Sequence, residues 1–248
     1  MTLSRYLAAL GYGTRKGAET IVRQRRVTTA AGVVLRDTSA YQHDDVFVDG
    51  APLDAPPGTV IALHKPVGYV CSREDRPPLV YDLLPPRFPQ RTPVMATVGR
   101  LDADTSGLLL LTDDGALNHL LASPKSHLPK RYAMTLAEPL RDDDGERVAA
   151  GTLMLHGETT PLAPAELHVT GERAADIVIH EGRYHQVRRM MAALGNHVRT
   201  LQRVAFGPLL LGDLPEGAWR VLESHEVDTL RAAALATKAQ AKAAAKAR

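Results

Sequence analysis

The sequence predicts an α+β protein in which a mainly antiparallel, mixed sheet forms the larger part. Its 248 residues suit one large domain, or a small domain followed by a medium one. Strand-like apolar runs and helix-like patterns are mixed after residue 58, as is typical of an α+β fold. A Pro- and Gly-rich segment, 49–58, precedes them. We therefore expect a small N-terminal domain with its linker (1–57), a larger domain (58–230) and a mobile Ala/Lys-rich tail (231–248).

The composition limits the compartment, the cofactors and the membrane association that the protein can have. The chain has one cysteine, Cys71, which excludes an intrachain disulfide and a cysteine-based metal cluster. No apolar run has the length of a signal peptide or of a membrane-spanning helix. We find no phosphate-binding or dinucleotide-binding glycine motif and no His/Cys ligand spacing. The sequence therefore predicts a cytoplasmic protein that uses no metal and no cofactor and does not bind membranes.

Positive charge is concentrated at the two ends of the chain. Residues 1–36 carry seven basic side chains and one acidic side chain, and residues 231–248 carry five basic side chains and no acidic one. The middle of the chain is therefore net acidic. This distribution favours a polyanion-binding surface at the termini, although solvated basic segments would give the same pattern.

The first 36 residues predict two short helices and a hairpin. Leu3, Leu7 and Leu10 follow a helical spacing, and Thr14 can cap a second helix whose Arg and Lys side chains point outward. Val27 and the pair Val33-Val34 flank Gly32, which is typical of strand–turn–strand.

This N-terminal order resembles the S4-like RNA-binding module. The matching segments are 3–8 and 14–21, followed by Arg26-Val27. The resemblance implies that the second helix lies against RNA phosphates, where basic side chains release counterions. The RNA-contacting residues that we expect here are Arg5, Arg15, Lys16, Arg23, Arg25 and Arg26.

The larger domain opens with a strand at 59–63. Further strands are predicted at 108–111, 133–136 and 177–179, and helices at about 116–122 and 184–194. The second of these helices places Val187, Met190, Met191 and Leu194 on one apolar face and ends at Gly195-Asn196.

Asp102 is the first candidate for chemistry. It lies in a Gly-flanked loop immediately before an uninterrupted apolar strand, so a buried, rigid element would hold it in place. An isolated loop aspartate most often caps a turn, and we assign that role to Asp104, Asp113 and Asp114.

A second candidate segment contains no acidic residue between Gly182 and Gly212 but five arginines. A solvated basic helix would explain such a run. Its setting within a net acidic domain favours phosphate or carboxylate binding instead. A third segment, 129–134, contains Tyr132 at the head of a strand, where a ring usually packs in the core or at its rim.

Taken together, these segments resemble the pseudouridine synthases of the RsuA type. The matching segments are 99–112, 130–132 and 181–190, with 64–68 and 212–220 at the two ends. The resemblance implies isomerisation of uridine to pseudouridine in ribosomal RNA, a reaction without net loss of atoms. It implies that Asp102 is the catalytic carboxylate, that Arg188 lies beside it and keeps it ionised, and that Tyr132 stacks on the base. A flipped-out uridine follows from the chemistry, and Arg100, Arg183 and Arg189 are expected to contact the RNA.

Within that family, 68–72, 113–115 and 161–165 are most similar to the enzymes acting on small-subunit (16S) RNA, with the large-subunit 23S enzymes as the alternative. The uridine 516 type of target is implied. A non-catalytic RNA-binding assembly factor and a nucleoside hydrolase are the other possible functions, but a hydrolase normally needs two paired carboxylates. We expect a monomer that binds ribosomal RNA in a pre-ribosomal particle.

Overall fold

The computed structural model describes residues 1–76 and 78–246. The helices are α1 (Leu3–Ala9), α2 (Arg15–Arg23), α3 (Gly115–Ala122), α4 (Asp144–Ala149), α5 (Gln186–Ala193) and α6 (Ser224–Lys246). The strands are β1 (Val27–Thr28), β2 (Phe47–Val48), β3 (Ala51–Pro52), β4 (Val60–Lys65), β5 (Ala96–Thr97), β6 (Ser106–Thr112), β7 (Lys130–Leu136), β8 (Glu166–Gly171), β9 (Ala174–Ile179), β10 (Val198–Phe206), β11 (Leu209–Leu210) and β12 (Trp219–Val221).

The N-terminal part combines α1 and α2 with a three-stranded antiparallel sheet, β1-β2-β3. Leu3, Leu7 and Ala18 are fully buried in a small core, and the Thr14 hydroxyl accepts a hydrogen bond from Gly17 N at the start of α2. The predicted helices and cap are confirmed. The domain boundary near residue 57 stays a prediction, although β3 ends at Pro52 and the main sheet begins at Val60.

The predicted hairpin around Gly32 is formed, because Thr29 N donates to Val33 O and Leu35 N donates to Val27 O, each at 2.9 Å. Thr28 and Val34 make a single bridge, but β1 pairs along its length with β2, about twenty residues further on. Val33 and Val34 remain exposed. The apolar side chains that bury this sheet include Val46 and Val48, but not Val33 or Val34.

The larger part is built on a nine-stranded sheet with the order β12-β4-β6-β10-β7-β9-β8, to which β5 and β11 add at β6 and β10. Every pairing is antiparallel except that of β6 with β10. The α+β class and the mainly antiparallel, mixed sheet are thus confirmed. The predicted strands and the helices α3 and α5 are present within a few residues of their expected bounds.

The apolar run in β6 is buried on both faces of the sheet. Leu109 and Leu111 belong to one core cluster, whereas Leu108 and Leu110 belong to another on the opposite face. Alternating side chains of a strand point to opposite faces, so four consecutive leucines can fill two cores. The strand that follows Asp102 is therefore anchored from both sides.

Gly107 allows β6 to pack unusually close to β10. It has a φ of +110°, and a Cβ there would lie 2.3 Å from the backbone oxygen of Arg203. Only glycine adopts this conformation without strain and leaves that space open. The Asp102 loop and the backbone of Arg203 are consequently fixed against each other.

A second close approach joins the N-terminal part to the larger one. A Cβ on Gly11 would lie 2.3 Å from the Arg87 backbone oxygen. Thr92 N donates to Ala9 O at 2.9 Å, and the Arg87 guanidinium pairs with Asp54 and lies over the Tyr12 ring. These contacts seat the end of α1 directly on the segment before β5.

The C-terminal tail differs from its prediction. The sequence predicted a mostly mobile segment from residue 231, but α6 continues to Lys246. Leu230 and Ala234 are fully buried against α3 residues such as Leu117, and Thr237 donates a hydrogen bond to the Ser126 carbonyl. Packing at a four-residue spacing thus orders the start of the tail, while Ala247 and Arg248 lie outside the described residues. Among those described, no helix is long and apolar enough to cross a membrane.

Candidate active site

A cavity of about 320 Å³ opens where the loop before β6 meets the end of β9 and the start of α5. Its size is at the lower end of the range for ligand pockets, about 300–1,000 Å³. It draws together all three predicted catalytic residues: Asp102, Tyr132 and Arg188. Segments distant in sequence therefore meet in one concave site.

The Asp102 loop is held by the segment that follows β4. Lys65 is completely buried, and its Nζ donates to the carbonyls of Pro66 and Thr105, each at 2.8 Å. Gly68 N donates to Ala103 O at 2.7 Å. Burial lowers the pKa of Lys65, and the negative charge of Asp102 acts in the opposite direction. The loop thus rests on a buried cation.

Asp102 pairs with a residue that the sequence did not single out. Its Oδ1 lies 3.5 Å from His185 Nε2, and its side chain is 34% exposed. His185 has a φ of +46° at the start of α5, and its ring stacks on Tyr184 with centroids 3.9 Å apart. Among the described residues, Arg188, which was expected beside Asp102, makes its ion pair with Asp104 instead.

Arg188 contacts the loop two residues further on. Its Nη2 donates to the Asp104 carbonyl at 2.9 Å and lies 3.0 Å from the Asp104 carboxylate, while Nη1 donates to Val198 O. Arg188 therefore braces the Asp102 loop through Asp104, whose role is structural, as expected, but depends on an ion pair instead of a turn cap. Asp113 and Asp114 are structural as expected: Asp113 binds Arg91, and Asp114 caps α3.

Tyr132 lies on β7, opposite Arg203 on β10 and Ile177 on β9. It is 8% exposed and lines the cavity. Tyr132 therefore belongs both to a buried core cluster and to the wall of the cavity. Lys130 and Arg203 line the same cavity.

A second carboxylate, Glu181, also lines the cavity, but protein donors occupy it. Glu181 accepts hydrogen bonds from Ala163 N, Gln186 Nε2 and Arg183 Nε. A carboxylate engaged in this way is poorly suited to activate water, which weakens the case for a hydrolase with two free acids.

Two of the three arginines expected to contact RNA near the cavity are tied to acidic side chains. Arg183 and Arg189 both pair with Glu158, at 3.4 and 2.9 Å, and also donate to backbone carbonyls of 156–161. Glu158 and Glu181 thus compensate two of the five arginines of the stretch without acids, Arg183 and Arg189. Arg100, by contrast, is exposed and lines the cavity.

The six basic residues predicted in the N-terminal part are all exposed. Arg15 lies 4.0 Å from Glu19, and Arg26 makes a two-pronged pair with Asp49. Arg5 and Arg15 line one shallow cleft, while Arg23 and Arg25 line another with Arg36. Lys16 lies on α2, next to Arg15 in the chain.

The sequence analysis assigned no individual role to Lys65, Lys130, His185 or Arg203, although Arg203 belongs to the acid-free stretch expected to bind phosphate or carboxylate. The signal for Lys130 was available, because a residue two positions before Tyr132 on a strand shares its face. His185 directly precedes α5 inside the segment already singled out. Lys65 and Arg203 are recognised only through non-local contacts.

Comparison with known proteins agrees with this geometry. A family model described as RNA pseudouridylate synthase matches residues 59–193, more than half of the chain. The ribosomal small subunit pseudouridine synthase A of Pasteurella multocida (strain Pm70) is 39% identical over 233 residues, covering 92% of this chain and 99% of the relative. Its counterpart from Escherichia coli (strain K12) is also 39% identical, covering 92% and 98%.

A crystal structure of a pseudouridylate synthase superimposes on the chain with a TM-score of 0.66 and 35% identity, covering 93% of this chain and 99% of that one. The resemblance predicted from segments 99–112, 130–132 and 181–190 is thereby confirmed. The chain matches the family model, is similar to its relatives over nearly the full length and shares the fold of a solved member. It therefore belongs to the RNA pseudouridylate synthase family.

Proposed function

We propose that this protein isomerises uridine to pseudouridine in 16S ribosomal RNA. The observation that carries the proposal is that Asp102, Tyr132 and Arg188 line one cavity. The chain also matches, over almost their whole length, relatives that are named for the small ribosomal subunit. Small-subunit RNA rather than 23S RNA follows from those names.

In this reaction the bond between ribose C1′ and uracil N1 breaks, the ring turns, and C5 bonds to C1′. The proton lost from C5 is balanced by one gained at N1, so the product is an isomer. Asp102 is the carboxylate that meets the reacting nucleotide. Tyr132 offers its ring to the base and its hydroxyl to the C5 proton. Arg188 acts indirectly, by holding the loop through Asp104.

The target uridine must leave its stack to reach the cavity, which costs a few kcal/mol. We propose that Arg100 and the exposed basic residues of the N-terminal part contact phosphates that offset this cost. We further propose a specific uridine of the 516 type, presented in a pre-ribosomal particle in the cytoplasm, and a monomeric enzyme that needs no metal or cofactor.

The direct test uses a 16S RNA transcript or small-subunit particle and analyses its nucleosides after incubation. The wild-type protein is expected to form pseudouridine, and Asp102→Asn is expected to bind the RNA but form none. Asp142→Asn is the matched control, because Asp142 is exposed and lies outside the cavity lining.

Turnover by Asp102→Asn, with deamidation excluded by mass spectrometry, would contradict the role of Asp102. Release of free uracil would indicate a hydrolase, and unmodified RNA with wild-type protein a binding factor. Mapping pseudouridines in ribosomal RNA from a strain lacking the protein identifies the target: loss from 23S instead of 16S RNA would overturn the small-subunit assignment.

A further inference from the structure

Two cations lie side by side on one wall of the cavity. Lys130 and Tyr132 are two residues apart on β7 and point to the same face. On β10, Arg203 is the register partner of Tyr132, and Phe206 is the partner of Lys130. All four side chains line the cavity that contains Asp102.

Both cations are poorly compensated by the protein. Arg203 is 2% exposed, its Nε donates to Leu108 O at 2.7 Å, and its buried Nη2 has no hydrogen-bond partner. Lys130 Nζ donates to Leu128 O at 2.9 Å. Across residues 1–76 and 78–246, neither side chain has a carboxylate oxygen within 4.0 Å. Burying a charge without a counter-ion is costly, so this arrangement points to a ligand that is negative.

The ring of Phe206 lies close to both cations, 5.3 Å from Arg203 Cζ and 5.8 Å from Lys130 Nζ. Such contacts hold a cation by its interaction with the ring face while leaving its other side available. Phe206 is itself packed in one of the two core clusters of the sheet. The two charges are therefore held in place before a ligand arrives.

We propose that Lys130 and Arg203 are further catalytic residues, which stabilise the negative charge that develops on the uracil ring when its bond to ribose breaks. This inference rests on the function proposed above. As C1′–N1 breaks, its electron pair stays on the uracil and is shared among N1, O2 and O4. That charge disappears again when C5 bonds to C1′ and the C5 proton moves to N1. Preorganised donors aimed at a transient charge are an effective form of catalysis.

The depth of Arg203 favours the base over an RNA phosphate as the ligand of this pair. Arg203 is almost inaccessible, whereas the exposed Arg100 lies on the same cavity. A flipped nucleotide enters base first, and its phosphates stay outside with the backbone. Tyr132 shares the cavity with Asp102 and neighbours both cations on the sheet, so a base stacked on its ring lies within reach of them.

The charge of Lys130 gives this site a measurable pH dependence. Burial and the neighbouring charge of Arg203 lower the pKa of Lys130 to about 8, and Glu181, beyond the end of β9, acts in the opposite direction. On β9 the register partner of Lys130 is Ile179, and the next residue, His180, bonds to the His127 carbonyl. Lys130 is therefore charged below about pH 8 and becomes neutral above it.

The test measures single-turnover pseudouridine formation and RNA affinity for the full-length wild-type protein, Lys130→Met and Lys130→Arg. Lys130→Met is expected to lower the rate by about 100–1,000-fold, the usual effect of removing one such donor, with RNA affinity unchanged. Lys130→Arg is expected to recover most of the rate. The wild-type rate should fall above about pH 8, and Lys130→Arg should move this fall to higher pH.

Arg203→Lys is the second variant, because it retains a cation where Arg203→Met removes it. The proposed role of Lys130 would be overturned if Lys130→Met were as active as the wild type. It would also be overturned if the rate of Lys130→Arg fell at the same alkaline pH as the wild-type rate. Wild-type activity in the same assay separates the two proposals: an active wild type with unaffected variants refutes only this inference, whereas an inactive wild type refutes the proposed function as well.

Discussion

Arg188 contacts both the backbone and the side chain of Asp104: its Nη2 lies 2.9 Å from the Asp104 carbonyl oxygen and 3.0 Å from the carboxylate. Because Asp104 and Asp102 belong to the same short loop, this contact sets where the candidate catalytic carboxylate lies. Arg188 also donates to Val198 O, at the start of β10. It therefore joins the loop to the central sheet.

Arg188→Met is expected to lower single-turnover pseudouridine formation by about 100-fold, since small displacements of a reacting group have effects of that order. Asp104→Asn should have a much smaller effect, because the contact to the backbone carbonyl survives. Arg199→Met, at an exposed position on β10, is the control. The bracing role is wrong if Asp104→Asn and Arg188→Met reduce the rate equally, or if neither does.

Gly107→Ala is expected to destabilise the fold by at least about 2 kcal/mol, from left-handed strain together with overpacking against Arg203. Gly212→Ala separates the two causes, because Gly212 also has a positive φ but a Cβ added there would have no neighbouring atom within 4 Å. Urea unfolding of both variants gives the difference. A smaller loss for Gly107→Ala than for Gly212→Ala would contradict the close approach of β6 and β10.

Changing Arg15, Lys16 and Arg23 together to Ala should weaken RNA binding and lower the slope of log affinity against log salt by about 2, as expected for the loss of a few phosphate contacts. The comparison is an exposed triple variant of the larger part, Arg141, Arg173 and Arg199 to Ala. Binding is measured by titration at several salt concentrations. An equal change of slope in both triples would refute a specific role for the N-terminal part.

Acid should weaken the contact between β12 and α6. A two-pronged hydrogen bond from Arg220 holds the pKa of Glu226 down at about 2, below its ordinary 4.5. A lowered carboxyl pKa stabilises the fold above pH 4.5, and this contribution is lost as pH falls towards 2. Glu226→Gln should therefore cost about 1 kcal/mol at neutral pH and reduce the acid dependence in that range. Unfolding curves of equal acid dependence in both proteins would contradict this.

Truncation distinguishes the packed start of α6 from its end. Removal of residues 239–248 should change the free energy of unfolding by less than about 0.5 kcal/mol. Removal of 231–248 takes away Ala234 and Thr237, and should destabilise clearly, because it uncovers Leu117 and its neighbours. Equal stability of the two truncated chains would show that the start of the tail adds nothing to the fold.

Local sequence patterns are sufficient for some elements and not for others. The strand 108–111 and the helix containing Val187 and Met190 were predictable because the pattern of apolar residues within each segment is a local signal. The turn before Val33 was also predictable, but the pairing of β1 with β2 was not, because that partner is distant in the chain. The tail failed because alanines carry little hydrophobic signal until a facing surface is known.

The candidate site, too, was predictable in part: its residues could be predicted, but the contacts between them could not. The resemblance of three segments to the RsuA-type synthases was enough to predict that Asp102, Tyr132 and Arg188 belong to one site, and they line one cavity. Their pairing was not predictable, since it depends on contacts across the fold. His185 takes the place expected for Arg188, and Glu158, some thirty residues upstream, pairs with Arg189.

The seating of Gly11 on the Arg87 backbone has a consequence for the choice of substrate. With no room for even a methyl group between them, the N-terminal part cannot settle closer to or further from the cavity without breaking that contact. The distance between the N-terminal part and the cavity is therefore fixed. An RNA that binds at Arg15 and Arg23, as proposed above, would present to Asp102 only a nucleotide at one fixed distance from the bound segment. The distance within the folded RNA, as well as the base itself, would then select the uridine.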